Sequence, residues 1–155
     1  MYKIDKKDRL ILEELLKDSR QSTRDMGRKL KMPSTTVYQR IKRLVGKGVI
    51  KNFSIVVDQE KLGRPTIAIV LVKRRPQGSG KIRPEHIGQE LAKLPEVEEV
   101  FIVTGEYDAI AKVRGANERE VGKWVVEKLW NMPEVDRTLT FFAFYTSKES
   151  PTSVA

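Results

Sequence analysis

The stretch KMPSTTVYQRIKRLVGKGVI, Lys31 to Ile50, decides how the front of the chain folds. Met32 and Pro33 leave room only for an abrupt turn, and Ser34 stands where a hydroxyl can cap a helix. Val37, Ile41 and Leu44 then recur at the three-to-four spacing of a buried helical face, which turns Thr35, Thr36, Gln39, Lys42 and Arg43 outward. The glycines of VGKGVI end the helix. From Pro33 to Asn52 there is no acidic residue. A merely solvated face alternates its charges, so the pattern points to a polyanion. Short hydroxyls and a glutamine near a helix N-terminus suit base edges, whereas Lys42, Arg43 and Lys47 suit phosphates; Tyr38 fits either role or packs. With Ser34 and Arg40 these residues make up the candidate nucleic-acid face.

Working outward, the charge distribution agrees. Residues 1–60 hold 15 bases and 8 acids, residues 61–155 hold 15 and 13, so the excess sits at the front. Upstream of the quoted stretch, Ile11, Leu12, Leu15 and Leu16 form an apolar stripe behind an Asp5 cap, which predicts a first helix over Asp5 to Asp18. Ser22 with Asp25 predicts the start of a second, short helix reaching about Leu30. Gly27 in its middle costs up to about 1 kcal/mol relative to Ala, a cost that close approach of another helix would explain. Downstream, VIKNFSIVVD alternates and is β-branched, reading as a strand with Lys51 to Phe53 turning as a small wing. Gly63 and Pro65 then break the chain, so the organisation expected is a helix-turn-helix domain over 1–50, a strand and linker over 51–65, a second domain over 66–148 and a tail over 149–155.

That second domain repeats itself. TIAIVLVKR reads as a strand, followed by a basic loop and a helix from about Pro84 with Ile87, Leu91 and Leu94 on one face. VEEVFIVT leads through GEYD into AIAKVR, a hairpin signal. Asn117 with Glu120 caps a helix bearing Val121, Trp124, Val125 and Leu129. Both helices end in similar tetrapeptides, LPEV and MPEV, each leading into a strand. The order is βαββαβ, a ferredoxin-like arrangement with both helices on one face of an antiparallel sheet. The opposite face is left open, with apolar members of TLTFFAFYT among its candidates, and an open apolar face calls for a partner, most simply a second copy of the chain.

Composition narrows the alternatives. The chain of 155 residues, 39% hydrophobic and 33% charged, suits one ordinary or two small folded domains. It has no cysteine and one histidine, His86, which disfavours disulfides, thiolate chemistry and histidine-based metal sites. No apolar run approaches the roughly 20 residues of a membrane span, and MYKIDKKDRL lacks the apolar centre of a signal peptide, so a cytoplasmic protein without a membrane partner is expected.

Residues across nearly the whole chain carry a family pattern. Asp5, Asp8, Ile11, Leu12, Leu15, Asp18 and Arg20, then Ser22, Ser34, Val37, Arg40, Ile41, Leu44, Gly48 and Ile50, and later Leu62-Gly63 and VTGEYDAIAKV, resemble the Lrp/AsnC family of feast/famine regulators of bacteria and archaea. The resemblance implies a winged helix-turn-helix joined to a ferredoxin-like effector and oligomerisation domain. It further implies a transcription factor that binds double-stranded DNA, dimerises, often assembles into octamers and responds to a small amino acid, with no other cofactor. In the family the effector lies between subunits near a G-x-Y-D turn. Here that maps to Thr104, Gly105, Glu106, Tyr107 and Asp108, with Thr138 and Thr140 on the last strand as further candidates. An acidic, glycine-containing turn beside two threonines offers acceptors for an ammonium and donors for a carboxylate. The same turn also reads as a plain hairpin whose Tyr packs and whose Asp satisfies it. Glu106 and Ala109 depart from the family's commoner G-D-Y-D-Y, which leaves the effector's identity open.

Three rivals stand beside this reading. A DNA-packaging protein would bind without sequence preference. Siroheme decarboxylases resemble the same two-part architecture, but their kind of site needs acids or bases, and His86 reads as a surface residue. RNA binding by the sheet would require an RRM-like aromatic motif, and none is present in the sequence. The long basic loop KRRPQGSGKIRPE suits contact with DNA or another subunit as well as plain solvent.

Overall fold

The computed structural model describes residues 3–76 and 85–149. The chain divides after Val57 into two compact units, each with its own core.

In the first unit, helix α1 (Lys6–Lys17) opens on a reciprocal capping box: the Asp8 N–H donates to Asp5 Oδ1 at 2.8 Å, and the Asp5 N–H to Asp8 Oδ2 at 3.3 Å. At its other end the Gln21 amide donates to the Glu14 and Asp18 carbonyls, satisfying acceptors the helix itself leaves open. Ser22 caps α2 (Thr23–Leu30) by accepting from the Asp25 N–H at 3.1 Å. Helix α2 ends at Lys31, held in the left-handed region at φ 53°, and the chain turns at once. A Cβ on Gly27 would lie 2.6 Å from the Met32 carbonyl oxygen and 3.4 Å from the Ser34 nitrogen. Thus the close neighbour expected at Gly27 is the backbone of the turn and of the start of α3 (Ser34–Gly46).

Two expectations need correcting in this unit. Ser34 does not cap α3: Pro33 holds the cap position, its carbonyl accepting from the Val37 N–H, and Ser34 is already the first helical residue. Leu16 is half-exposed, so the apolar stripe of α1 narrows to Ile11 with Leu12 and Leu15. These pack against Met26, Met32, Val37 and Leu44 to form the core. Burying each large apolar side chain contributes about 1.5–3 kcal/mol.

The strand expected over VIKNFSIVVD is not formed. Residues 51–58 have no regular secondary structure, and Ile55 and Val56 are each 79% exposed. A strand exists by pairing, and no strand lies beside this segment among the described residues. Alternation announced the propensity; a neighbour is what it lacks.

The second unit carries β1 (Thr66–Arg74), α4 (Glu85–Leu91), β2 (Val97–Ile102), β3 (Ala109–Gly115), α5 (Glu118–Trp124) and β4 (Val135–Phe142). Helix α5 continues as a π-helical turn over Val125–Leu129. The sheet is antiparallel in the order β2-β3-β1-β4, which is the ferredoxin-like arrangement read from the sequence. Asn117 caps α5 by accepting from the Glu120 N–H, while Glu120 accepts from the Ala116 N–H. Ala68, Val70 and Val72 of β1 and Ala109, Ala111 and Val113 of β3 meet Ile87 and Leu91 of α4 and Val121, Trp124, Val125 and Leu129 of α5. The start predicted for α4, Pro84, and most of the basic loop before it lie in 77–84, outside the described residues.

The other sheet face carries no helix among the described residues and combines an apolar row with charged residues, Lys112 opposite Ile69 and Arg137 opposite Lys73. Phe101 stands opposite Ile110, Ile110 opposite Leu71, and Leu71 opposite Leu139, giving one row across all four strands; Ile69 and Phe141 pair beside it. Phe101, Leu139 and Phe141 are exposed. Phe142 faces the helix-covered side, opposite Ala68.

Candidate nucleic-acid interface and effector region

Helix α3 gathers the predicted contact residues on one side. At about 3.6 residues per turn, positions 35, 36, 39, 40 and 43 share a face. Thr35, Thr36, Gln39, Arg40 and Arg43 indeed line one shallow groove of about 440 Å3. Ser34 at the helix start and Lys47 just past its end are exposed, as are Tyr38 and Lys42 to one side of the groove.

The two arginines of this group are not simply solvated. Arg40 Nη1 donates to Asp5 Oδ2 and to Asp8 Oδ1, both at 2.7 Å, and Arg43 Nη2 donates to Asp8 Oδ1 at 3.2 Å. Asp8 is fully buried, Arg40 mostly so, and Arg43 44% exposed. The hydrogen bond from the Asp8 N–H, followed by that from Arg40, holds the Asp5 carboxyl below its ordinary value. In turn Asp5 and then Asp8 raise Arg40 further above its own. Sequence reading recognised Asp5 as a cap and Asp8 as a first-turn acid; their second partners lie 35 and 32 residues away, beyond any local pattern.

In the second unit the GEYD turn joins β2 to β3, and Gly105 adopts φ 130°, a conformation that side-chain-bearing residues rarely take. Asp108 is committed to the fold: its carboxylate accepts from the Arg74 N–H at 2.9 Å and from Lys73 at 3.2 Å. Burial raises its pKa, but these bonds outweigh that and leave it below the ordinary value. Thr104 and Glu106 are exposed, and Tyr107 is half-buried. Thr138 and Thr140 stand opposite Val72 and Val70, on the helix-covered side of the sheet, and the Thr138 hydroxyl accepts from Trp130 Nε1 at 3.0 Å. The β4 residue that does reach the turn is Arg137, which sequence reading missed. Its guanidinium donates to Glu106 at 2.8 Å and sits 5.5 Å from the Tyr107 ring centroid. Only the register of β4 could have revealed it.

Among the described residues, no helix is long and apolar enough to cross a membrane. Residues 4–51 match the model of a winged helix-turn-helix DNA-binding domain, and residues 67–153 match the Lrp/AsnC ligand binding domain. A helix-turn-helix transcriptional regulator of Pyrococcus furiosus is 44% identical over 146 residues, 94% of this chain and 96% of its own. The structure of LrpC from Bacillus subtilis superposes with a TM-score of 0.80 at 29% identity, covering 95% of this chain and 99% of that one. A transcriptional regulator of Neisseria meningitidis, solved in complex with L-methionine, shares the fold with a TM-score of 0.88 at 19% identity, over 98% and 97% of the two chains. The chain therefore belongs to the Lrp/AsnC family of DNA-binding transcriptional regulators, not to an enzyme family.

Proposed function

We propose that this regulator reads specific DNA sequences through α3. Thr35, Thr36 and Gln39 test base edges in the major groove, while Ser34, Tyr38, Arg40, Lys42, Arg43 and Lys47 contact or align the phosphates. The observation that carries this reading is the single groove in which Thr35, Thr36 and Gln39 lie together with two arginines. The arginines supply charge for the phosphates, and the hydroxyl and amide groups beside them can distinguish base edges.

Its activity is switched by a small amino acid held between subunits at Thr104 to Asp108; Thr138 and Thr140, which face the helix-covered side of the sheet, are not among its contacts. The match to a ligand binding domain supports this, as does the methionine complex of the Neisseria relative. Glu106 offers a carboxylate to an ammonium group, and Arg137 beside it offers a guanidinium to a carboxylate. The chain works in the cytoplasm as a homodimer or larger assembly, octameric as in the family, with the open row Phe101, Ile110, Leu71 and Leu139 against another copy. Two linked heads then read half-sites about one helical turn apart or a multiple of it.

Substitution tests the assignment of the face. Gln39→Ala and Thr36→Ala should each reduce discrimination between matched and mismatched duplexes, by about 1–3 kcal/mol for a two-point base contact. Affinity and sequence preference both unchanged in the two variants would refute it.

A further inference from the structure

Two arginines of α3 converge on one buried carboxylate of α1. Asp8, with no exposed surface, accepts from Arg40 at 2.7 Å and from Arg43 at 3.2 and 3.4 Å. Arg40 is bonded at the same time to Asp5, and Asp5 and Asp8 are locked to each other by the capping box. A continuous set of directional bonds therefore runs from the first turn of α1 to the middle of α3. The neighbouring contacts are apolar: Ile11 against Val37 and Leu44 belongs to a packed cluster whose side chains carry no direction. Charge-assisted bonds to a guanidinium do carry direction, and they fix the rotation of α3 about its axis more sharply than methyl packing does.

The same bonds alter the charge offered to DNA. Asp5 and Asp8 offset two of the positive charges that the sequence places on this face. Arg43, 44% exposed, lines the groove while bonded to Asp8. A phosphate must compete with a buried carboxylate for it. Non-specific binding draws almost wholly on phosphate neutralisation, so such competition weakens non-specific binding more than binding in which base contacts share the load.

We propose that Asp8 is a positioning residue for DNA reading: through Arg40 it sets the rotation of α3, and through Arg43 it restrains indiscriminate phosphate contact, so that it governs the ratio of specific to non-specific binding. This rests on α3 being the reading face.

The test uses the full chain and the variant Asp8→Asn, nearly the same shape and still able to accept a bond. Binding is measured over a salt series to a duplex recovered by selection from a random pool and to poly(dI-dC), with thermal unfolding alongside. The expected result is tighter poly(dI-dC) binding and a log K against log salt slope steeper by about 0.9 per subunit, one phosphate contact. Binding to the selected duplex does not tighten, and the ratio falls about tenfold. Asp5→Asn keeps a good helix cap and removes one of Arg40's two partners, so it shifts the ratio in the same direction by a smaller factor; it also decides the matter if Asp8→Asn does not fold. An unchanged ratio and slope in the folded variants, with only the melting temperature lowered, would overturn the proposal and make Asp8 purely structural. Should the parent chain prefer no duplex at all, the reading of α3 is what fails. The salt slope still judges Asp8 in that event, an unchanged slope overturning its role.

Discussion

Gly27 lies so close to Met32 that a Cβ on it would stand 2.6 Å from the Met32 carbonyl oxygen. That oxygen is backbone and cannot swing aside. Gly27→Ala would ordinarily stabilise a helix interior by up to about 1 kcal/mol. Here the sign reverses: the turn between α2 and α3 must shift, at a cost of about 1–3 kcal/mol. Thermal or denaturant unfolding of the variant should show that loss, and a gain in stability would contradict the geometry.

The two serines that the sequence offers as caps should behave differently. Ser22 accepts from the Asp25 N–H, whereas Ser34 makes no capping bond. Ser22→Ala should cost about 1 kcal/mol and Ser34→Ala only a few tenths. Denaturant titration of the two variants separates them; equal losses would argue that Ser34 caps after all.

Acid should weaken the sheet unit through Asp108. Its folded pKa lies below the ordinary carboxylate value, because the Arg74 N–H and Lys73 outweigh its burial. A depressed carboxyl contributes stability that is fully present above its unfolded value, about 3.9, and is lost as pH falls through the lower folded value. Asp108→Asn should therefore be less stable than the parent at neutral pH and lose less between about pH 5 and pH 2. A melting series across that window checks it, and identical pH profiles would show that Asp108 does not carry the effect.

The open face should hold subunits together. Leu139, opposite Leu71 and 41% exposed, lies in the apolar row. Leu139→Asp would bury a charge in any such interface and should yield a folded monomer by light scattering, where the parent is expected to be a dimer or larger. Unchanged mass would place the interface elsewhere.

The Glu106–Arg137 pair should matter more to the proposed effector site than to stability. Both side chains are more than half exposed, and exposed pairs contribute about 0–1 kcal/mol. Arg137→Ala should leave the melting temperature nearly unchanged yet weaken the response of DNA binding to amino acids. A normal response would remove Arg137 from the effector site.

Much of this was legible because local rules govern it. Asp5, Ser22 and Asn117 cap helices by bonds within a few residues, and the apolar run TIAIVLVKR reads directly as a strand. What escaped depends on distant parts of the chain. Pro33 rather than Ser34 holds the cap of α3, at the end of a turn whose backbone passes close to Gly27. Residues 51–58 read as a strand, but pairing needs a neighbour that no local pattern supplies. The Asp8–Arg40 bond and the approach of Arg137 to Glu106 span 32 and 31 residues, so neither leaves a short-range signature.

The most direct test of the central claim is selection of bound sequences from random duplexes by the full chain, at fixed salt, with and without a mixture of the common amino acids. A palindromic motif whose enrichment changes on adding one amino acid is the predicted result, since two symmetric heads read two half-sites under an effector's control. No enriched motif in either pool would contradict it and reduce α3 to a phosphate-binding surface of the DNA-packaging kind.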